Sequence, residues 1–183
     1  MKTTFVAVIA LAAVSCRAAP VDVKIISEGT RTKEWPDPPP RRFGILSVSE
    51  RASNIPHAEA SCLYALRTHV MASGFDSVER AQLEQVLKEV NVHQLETLGK
   101  LANSKLGITA LILYDLHASQ EEIRLPYGLG SDGMMTDVRV MARVVFVADG
   151  NPRVISLARA EAKGKGVTLD EVFGSLTSKL ELK

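Results

Sequence analysis

The sequence predicts a single α/β domain, with a mixed sheet of about five strands flanked by helices. Three observations lead to this fold class. Apolar side chains recur at helical spacing between Leu83 and Val90. Residues 110–116 form an almost continuous apolar run, typical of a central strand covered on both faces. Residues 136–147 alternate apolar and polar side chains, the pattern of a half-buried strand.

The N-terminus, residues 1–15, has the pattern of a signal peptide. Residues 5–14 are uncharged and apolar, too few to span a bilayer, which needs about 20 residues, but enough for a signal-peptide core. The following Ala-Val-Ser-Cys resembles a bacterial lipobox, which predicts acylation of Cys16. Ordinary cleavage that leaves an unmodified cysteine is the alternative. With Arg17 next, the resemblance places the protein on the periplasmic face of the outer membrane; a soluble periplasmic or secreted form is the alternative.

Residues 16–42 are predicted to be a tether. Pro36 and Pro38 to Pro40 favour an extended spacer. The alternatives are a short edge strand over residues 21–26 and a polyproline ligand for the groove of a partner. Trp35, the only tryptophan, either contacts a partner or covers the edge of the domain.

The folded domain is expected to span residues 43–183. Residues 43–49 are the predicted first strand, Pro56 the first residue of a helix, and Gly74 its end. Leu63, Leu66 and Val70 are its expected buried stripe. A strand at 75–78 follows, and this strand–helix–strand unit predicts a parallel pair.

Two further helices are predicted before the central strand, the second of which ends at Gly107. Residues 118–135 are then interpreted as a loop, because they contain adjacent Glu121 and Glu122, Pro126 and a glycine-rich segment. For the same reason we expect no membrane-inserted hairpin and no pore.

The sequence of the C-terminal part, residues 136–183, predicts a β-hairpin followed by a capped helix. Residues 136–147 and 154–163 are antiparallel strands around the turn 149–152. Three alanines, at 158, 160 and 162, leave room for a helix to pack closely. Thr168 and Glu171 form a capping box, and Val167 with Val172 forms its hydrophobic staple.

The segment FDSVERAQLEQVLKEV, followed by Leu-Gly before an apolar strand, resembles the CsgG-like family of periplasmic lipoproteins, which includes the curli secretion channel and LpoB. The N-terminal domain of TolB has a similar architecture. The resemblance covers nearly all of residues 43–180 and implies a non-enzymatic binding domain in the envelope. Glu79 and Arg80 match the recurring pair of the family. They serve either as a structural turn, with Arg80 tied to a carboxylate or carbonyl, or as a partner contact.

Few residues suggest chemistry. The four histidines lack metal-ligand spacing, and Cys62 lies in a helix pattern as a buried thiol. Asp115 and His117 share a face at a predicted strand end, a weak sign of ligand binding. The loop at 127–133 lacks a phosphate-binding pattern. We therefore expect no catalytic site, no metal and no cofactor.

Charge argues against nucleic acid, because the net charge is only +1. The nearest basic patch is Arg139, Arg143 and Arg159, which is either a partner-binding or a solvated face. We expect a non-enzymatic bacterial envelope lipoprotein that binds a periplasmic protein as an accessory, adaptor or activator. The alternatives are a structural subunit of a CsgG-like secretion assembly and a small-ligand sensor. Partner identity and oligomeric state are left open.

Overall fold

The computed structural model describes residues 23–49, 53–83, 106–126 and 131–183. These residues form one mixed sheet with helices packed on it, which confirms the predicted α/β class. Residues 80–83 are also helical. The elements are β1 (Ile25–Arg31), β2 (Arg42–Ser47), α1 (Ala58–Ala72), β3 (Asp76–Ser77), β4 (Ala110–Arg124), β5 (Ser131–Phe146), β6 (Arg153–Gly164) and α2 (Leu169–Lys179).

The strand order in the described sheet is β1-β6-β5-β4-β2-β3. Strand β2 pairs in parallel with both β3 and β4, as the strand–helix–strand pattern predicts. The other neighbours pair antiparallel. Strand β4 therefore lies between a parallel and an antiparallel neighbour.

The main hydrophobic core lies between the sheet and the two helices α1 and α2. It contains fully buried Phe43, Leu66, Tyr114 and Phe173. The alanines of β6 lie on this face, buried against α2 as expected. Leu63 is only half-buried, so the buried stripe of α1 is Ala58, Cys62, Leu66 and Val70. A smaller buried cluster that includes Leu83, Leu111 and Val145 lies apart from this core.

The N-terminus of α2 has the predicted cap. The Thr168 hydroxyl accepts a hydrogen bond from the Glu171 amide (3.4 Å) and donates one to the Glu171 carboxylate (2.7 Å). Val167 and Val172, the predicted staple, are both buried. Local sequence alone therefore fixes where this helix begins.

The tether prediction is wrong for residues 25–31, which form an edge strand of the sheet. Strand β1 pairs along its whole length with β6, from Ile25 opposite Ala162 to Arg31 opposite Ser156. The chain after it also belongs to the domain, because Pro36 and Pro40 are buried and Trp35 packs on the main core. The folded unit therefore begins well before Phe43.

The loop prediction for residues 118–135 is also wrong. Strand β4 continues to Arg124 and β5 begins at Ser131, so the two form a long hairpin. Strand β6 pairs with β5 only from Thr136 onwards, so the outer part of this hairpin extends past β6. The sequence did not predict strands in this outer part, because both of its faces are exposed and its side chains do not alternate between apolar and polar.

Helix α1 begins later than predicted. Its first residue is Ala58 rather than Pro56, and His57 is the N-cap with a positive φ of 62° and no capping side-chain bond. Gly74 follows the helix with φ 83°, as expected of a C-terminal glycine. The strand after it covers only Asp76 and Ser77. Cys16, the signal peptide, Val86 to Val90 and most of the third predicted helix lie outside the described residues.

Candidate partner-binding groove

A shallow groove of about 650 Å³ runs between α1 and α2; we call it the helix groove. Its walls are mostly small or apolar. The residues that line it are Ala60, Ser61, Tyr64, Ala65, Thr68, His69 and Ala72 from α1, and Asp170, Phe173, Gly174 and Thr177 from α2. Such a surface offers packing area and few reactive groups, which suits a protein segment better than a reacting substrate.

Tyr64 is the most exposed large hydrophobic side chain in the described part of the chain, at 73%. Met71 follows seven residues later on the same stripe of α1 and is 61% exposed. Tyrosine and methionine are enriched in protein interfaces, where they supply contact area. Both residues lie off the buried stripe of α1, and helical hydrophobic periodicity identifies only that stripe.

Gly174 lies in the middle of α2 and lines the groove. A glycine there costs about 0.5–1 kcal/mol relative to alanine. A Cβ built at Gly174 meets no atom of the described residues within 4 Å, so packing among these residues does not require the glycine. The missing side chain leaves space that another backbone can approach closely.

The one imidazole in the groove is already engaged. Nε2 of His69 lies 2.8 Å from the carbonyl oxygen of Leu180, the C-cap of α2. Because a carbonyl only accepts, this nitrogen carries the proton and donates. His69 therefore connects the ends of the two helices.

Two titratable groups in the core, Cys62 and Tyr114, have raised pKa values. Burial, with a smaller contribution from Glu59, raises the pKa of the Cys62 thiol to about 12, so it is protonated at neutral pH. This agrees with the prediction of a buried thiol. Burial likewise raises the pKa of the Tyr114 hydroxyl, which is hydrogen-bonded to Ser47.

Glu79 and Arg80 both point to α1. The Glu79 carboxylate lies 3.8 Å from the Arg67 guanidinium. The Arg80 guanidinium lies 3.5 Å from the Glu59 carboxylate. All four side chains are substantially exposed, so each pair contributes little stability. The arrangement matches the structural role considered for Arg80, a tie to a carboxylate.

Arg139, Arg143 and Arg159 do share one face of the sheet, the face opposite the main core. Acidic groups accompany them: Arg139 binds Asp137 at 2.9 Å, and Arg159 binds Glu161 at 2.6 Å. This face is therefore a mixture of both charges rather than a basic patch, which fits the solvated alternative.

Asp115 and His117 do not lie at a strand end, as the sequence suggested, because β4 continues for seven residues beyond His117. They face the same side of the sheet as Arg139, which is opposite His117. The carboxyl-end cleft next to β2 is lined by several serines instead. Two of these serines, which follow β2, are hydrogen-bonded to the backbone of β4. The Ser49 hydroxyl accepts a hydrogen bond from the Leu116 amide (2.7 Å), and the Ser53 hydroxyl donates one to the Ala118 carbonyl (2.9 Å).

Among the described residues no cluster of three or more histidine, cysteine or acidic side chains could hold a metal ion. None of the helices in the described ranges is long and apolar enough to cross a membrane.

No family model and no curated protein matches the sequence. The fold is similar to that of the lipoprotein GNA1162 from Neisseria meningitidis, with 16% identity and a TM-score of 0.48 over 76% of this chain and 94% of that chain. It is also similar to two structures of the PelC dodecamer from Paraburkholderia phytofirmans, with 17% and 18% identity and TM-scores of 0.43 and 0.42. Each of these two matches covers 86% of this chain and 95% of the PelC chain. These similarities are too distant to transfer a function.

Proposed function

We propose that this protein is a non-enzymatic envelope lipoprotein of the bacterial periplasm, anchored by an acyl group on Cys16, that binds an apolar segment of a protein partner in the helix groove. The observation that supports the binding role is the exposed Tyr64 beside a groove whose far wall contains Gly174, a glycine that packing among the described residues does not require. The anchoring role is supported by the apolar signal sequence that ends in Ala-Val-Ser-Cys.

The short link to the anchor limits where the partner lies. Strand β1 begins at Ile25, so only nine peptide units separate it from Cys16. A fully extended chain of that length spans about 30 Å. The partner is therefore a membrane protein or one held close to the membrane, rather than a protein reached through a long tether.

The groove starts at the membrane-proximal end of the domain. Ile25 pairs with Ala162 close to the end of β6, and α2 begins shortly after that strand. Helix α1 begins beside the same end of the sheet, where Asn54 donates to the Ala118 carbonyl. A segment that rises from the membrane can enter the groove from this end.

A photo-crosslinking experiment tests the binding role. p-Benzoylphenylalanine replaces Tyr64 in the full-length protein in cells, and Val154, which is 40% exposed on β6, serves as the control position. We expect an adduct with one envelope protein from position 64 and none from position 154. Gly174→Phe, which fills the groove from an open position, should abolish the adduct while Gly174→Ala preserves it. An adduct that survives Gly174→Phe would contradict groove binding.

The anchor is tested separately. Mass spectrometry of the mature N-terminal peptide should give an acylated Cys16, and Cys16→Ser should release the protein from the membrane fraction. An unmodified peptide that begins at Cys16, or one that retains residues 1–15, would refute the anchor and leave the groove experiment unaffected.

A further inference from the structure

We infer that β1 pairs with β1 of a second copy of this chain, so that two sheets join into one across a two-fold axis at Ile26. Strand β1 is the last strand at its end of the described sheet. An edge strand presents unpaired backbone N–H and C=O groups, which are a template for another strand. This inference does not depend on the proposed anchor or groove.

Several of the usual protections of an edge are missing from β1, although the strand carries the charged Glu28 and Arg31. It is seven residues long, contains no proline, and pairs with β6 without a bulge. Ile26 is 49% exposed on the sheet face that also carries Glu28. A regular edge with an exposed isoleucine near its start is a surface that proteins normally shield, unless it is an interface.

Charge decides which strand fits this edge. Lys24, Ile26 and Glu28 lie at every second position, so all three face the same side. In an antiparallel pair centred on Ile26, Lys24 of each copy lies opposite Glu28 of the other, and the two Ile26 side chains meet at the axis. Opposite charges directly across a strand pair stabilise it, and like charges destabilise it.

Other registers centred on a residue of the strand fit less well. A pair centred on Ser27 places Ile26 opposite Glu28. A pair centred on Glu28 places the two Glu28 carboxylates against each other. In the single chain, Glu28 is held only weakly, with its carboxylate 4.0 Å from the Arg159 guanidinium and both side chains exposed. It is therefore available to the lysine of a second copy.

Disulfide cross-linking tests the register. In the full-length chain with Cys16→Ser, the one remaining thiol is Cys62, which is buried and has a raised pKa. Ile26→Cys places two thiols opposite each other, where a disulfide can form under mild oxidation. The matched control is Thr30→Cys, on the same face of the same strand, because the two copies of residue 30 are then about 26 Å apart.

We expect a cross-linked dimer from Ile26→Cys and none from Thr30→Cys. No dimer from either variant, or equal dimer from both, would overturn the proposal.

A charge exchange gives a second, independent measurement. Lys24→Glu or Glu28→Lys alone should weaken dimerisation of the full-length chain with Cys16→Ser roughly tenfold, measured by sedimentation over a range of concentrations, because each creates two like-charged pairs. The double variant restores both pairs and should return to within about threefold of the original. A double variant as weak as the single ones, or single variants that dimerise normally, would overturn the proposal.

Discussion

The imidazole of His69 donates to the backbone carbonyl of Leu180 across 2.8 Å, which joins the last turn of α1 to the C-terminal end of α2. This bond connects the two walls of the helix groove. It also explains why a histidine lies on the inner side of a mostly apolar groove.

Replacing His69 should therefore loosen the two helices. His69→Ala should lower the free energy of unfolding by about 1 kcal/mol, because the part-buried carbonyl of Leu180 loses its side-chain donor. Urea denaturation measures the change. His69→Gln retains an N–H donor and should recover part of the loss; equal stability of His69→Ala and the original chain would contradict this account.

Two glycines should respond to the same substitution with opposite sign. Gly174→Ala should stabilise the protein by about 0.5–1 kcal/mol, because the position is helical and open. Gly29→Ala should destabilise it by about 1–3 kcal/mol, because its Cβ would overlap the backbone carbonyl oxygen of Lys179. Thermal melting of both variants provides the comparison, and a destabilised Gly174→Ala would be evidence against the open position.

The cap of α2 should be measurable on its own. Thr168→Ala removes the hydroxyl that binds the Glu171 amide and carboxylate, and should cost about 0.5–2 kcal/mol. Ser178→Ala is a suitable control, because that exposed hydroxyl binds only a carbonyl within the same helix. Chemical denaturation should separate the two variants; similar losses would show that the cap has no special role.

Stability should fall at alkaline pH because of Cys62. Burial raises the pKa of this thiol from 9.0 to about 12, so between these values the unfolded chain loses a proton that the folded chain keeps. The free energy of unfolding should therefore fall as the pH rises through this window, by up to about 1.4 kcal/mol per pH unit. Below pH 9 the thiol contributes no slope.

Cys62→Ala provides the control for this slope. The variant leaves a small cavity and is less stable overall, but the decline that starts near pH 9 should be shallower in it. The part caused by Tyr114, whose pKa is also raised, should remain. Identical slopes in the two proteins would exclude Cys62 as the cause.

The N-terminal boundary of the domain can be tested by truncation. A chain that starts at residue 23 retains β1 and should melt like the mature protein. A chain that starts at residue 41 lacks β1, Trp35 and the buried Pro36, and should melt at a markedly lower temperature, because β6 and α2 lose the strand packed against them. Equal melting temperatures would restore the tether interpretation.

The sequence by itself determined the features that depend on neighbouring residues. The central strand from Ala110, the strand alternation around Val140 and the Thr168 cap follow from side-chain periodicity and from hydrogen bonds within a few residues. These signals depend on residues within one strand or one helical turn, so the sequence alone is enough to predict them. The α/β class follows from their order.

Only the tertiary structure decided the position of β1, the length of the β4–β5 hairpin and the helix groove. Strand β1 is held by β6, which is distant in sequence, and its own residues resemble a linker. The hairpin extends through polar residues because it is held by backbone pairing, which does not depend on apolar side chains. The groove exists because the fold places α1 beside α2. Tyr64 and Gly174 therefore line one surface, although they are far apart in the sequence.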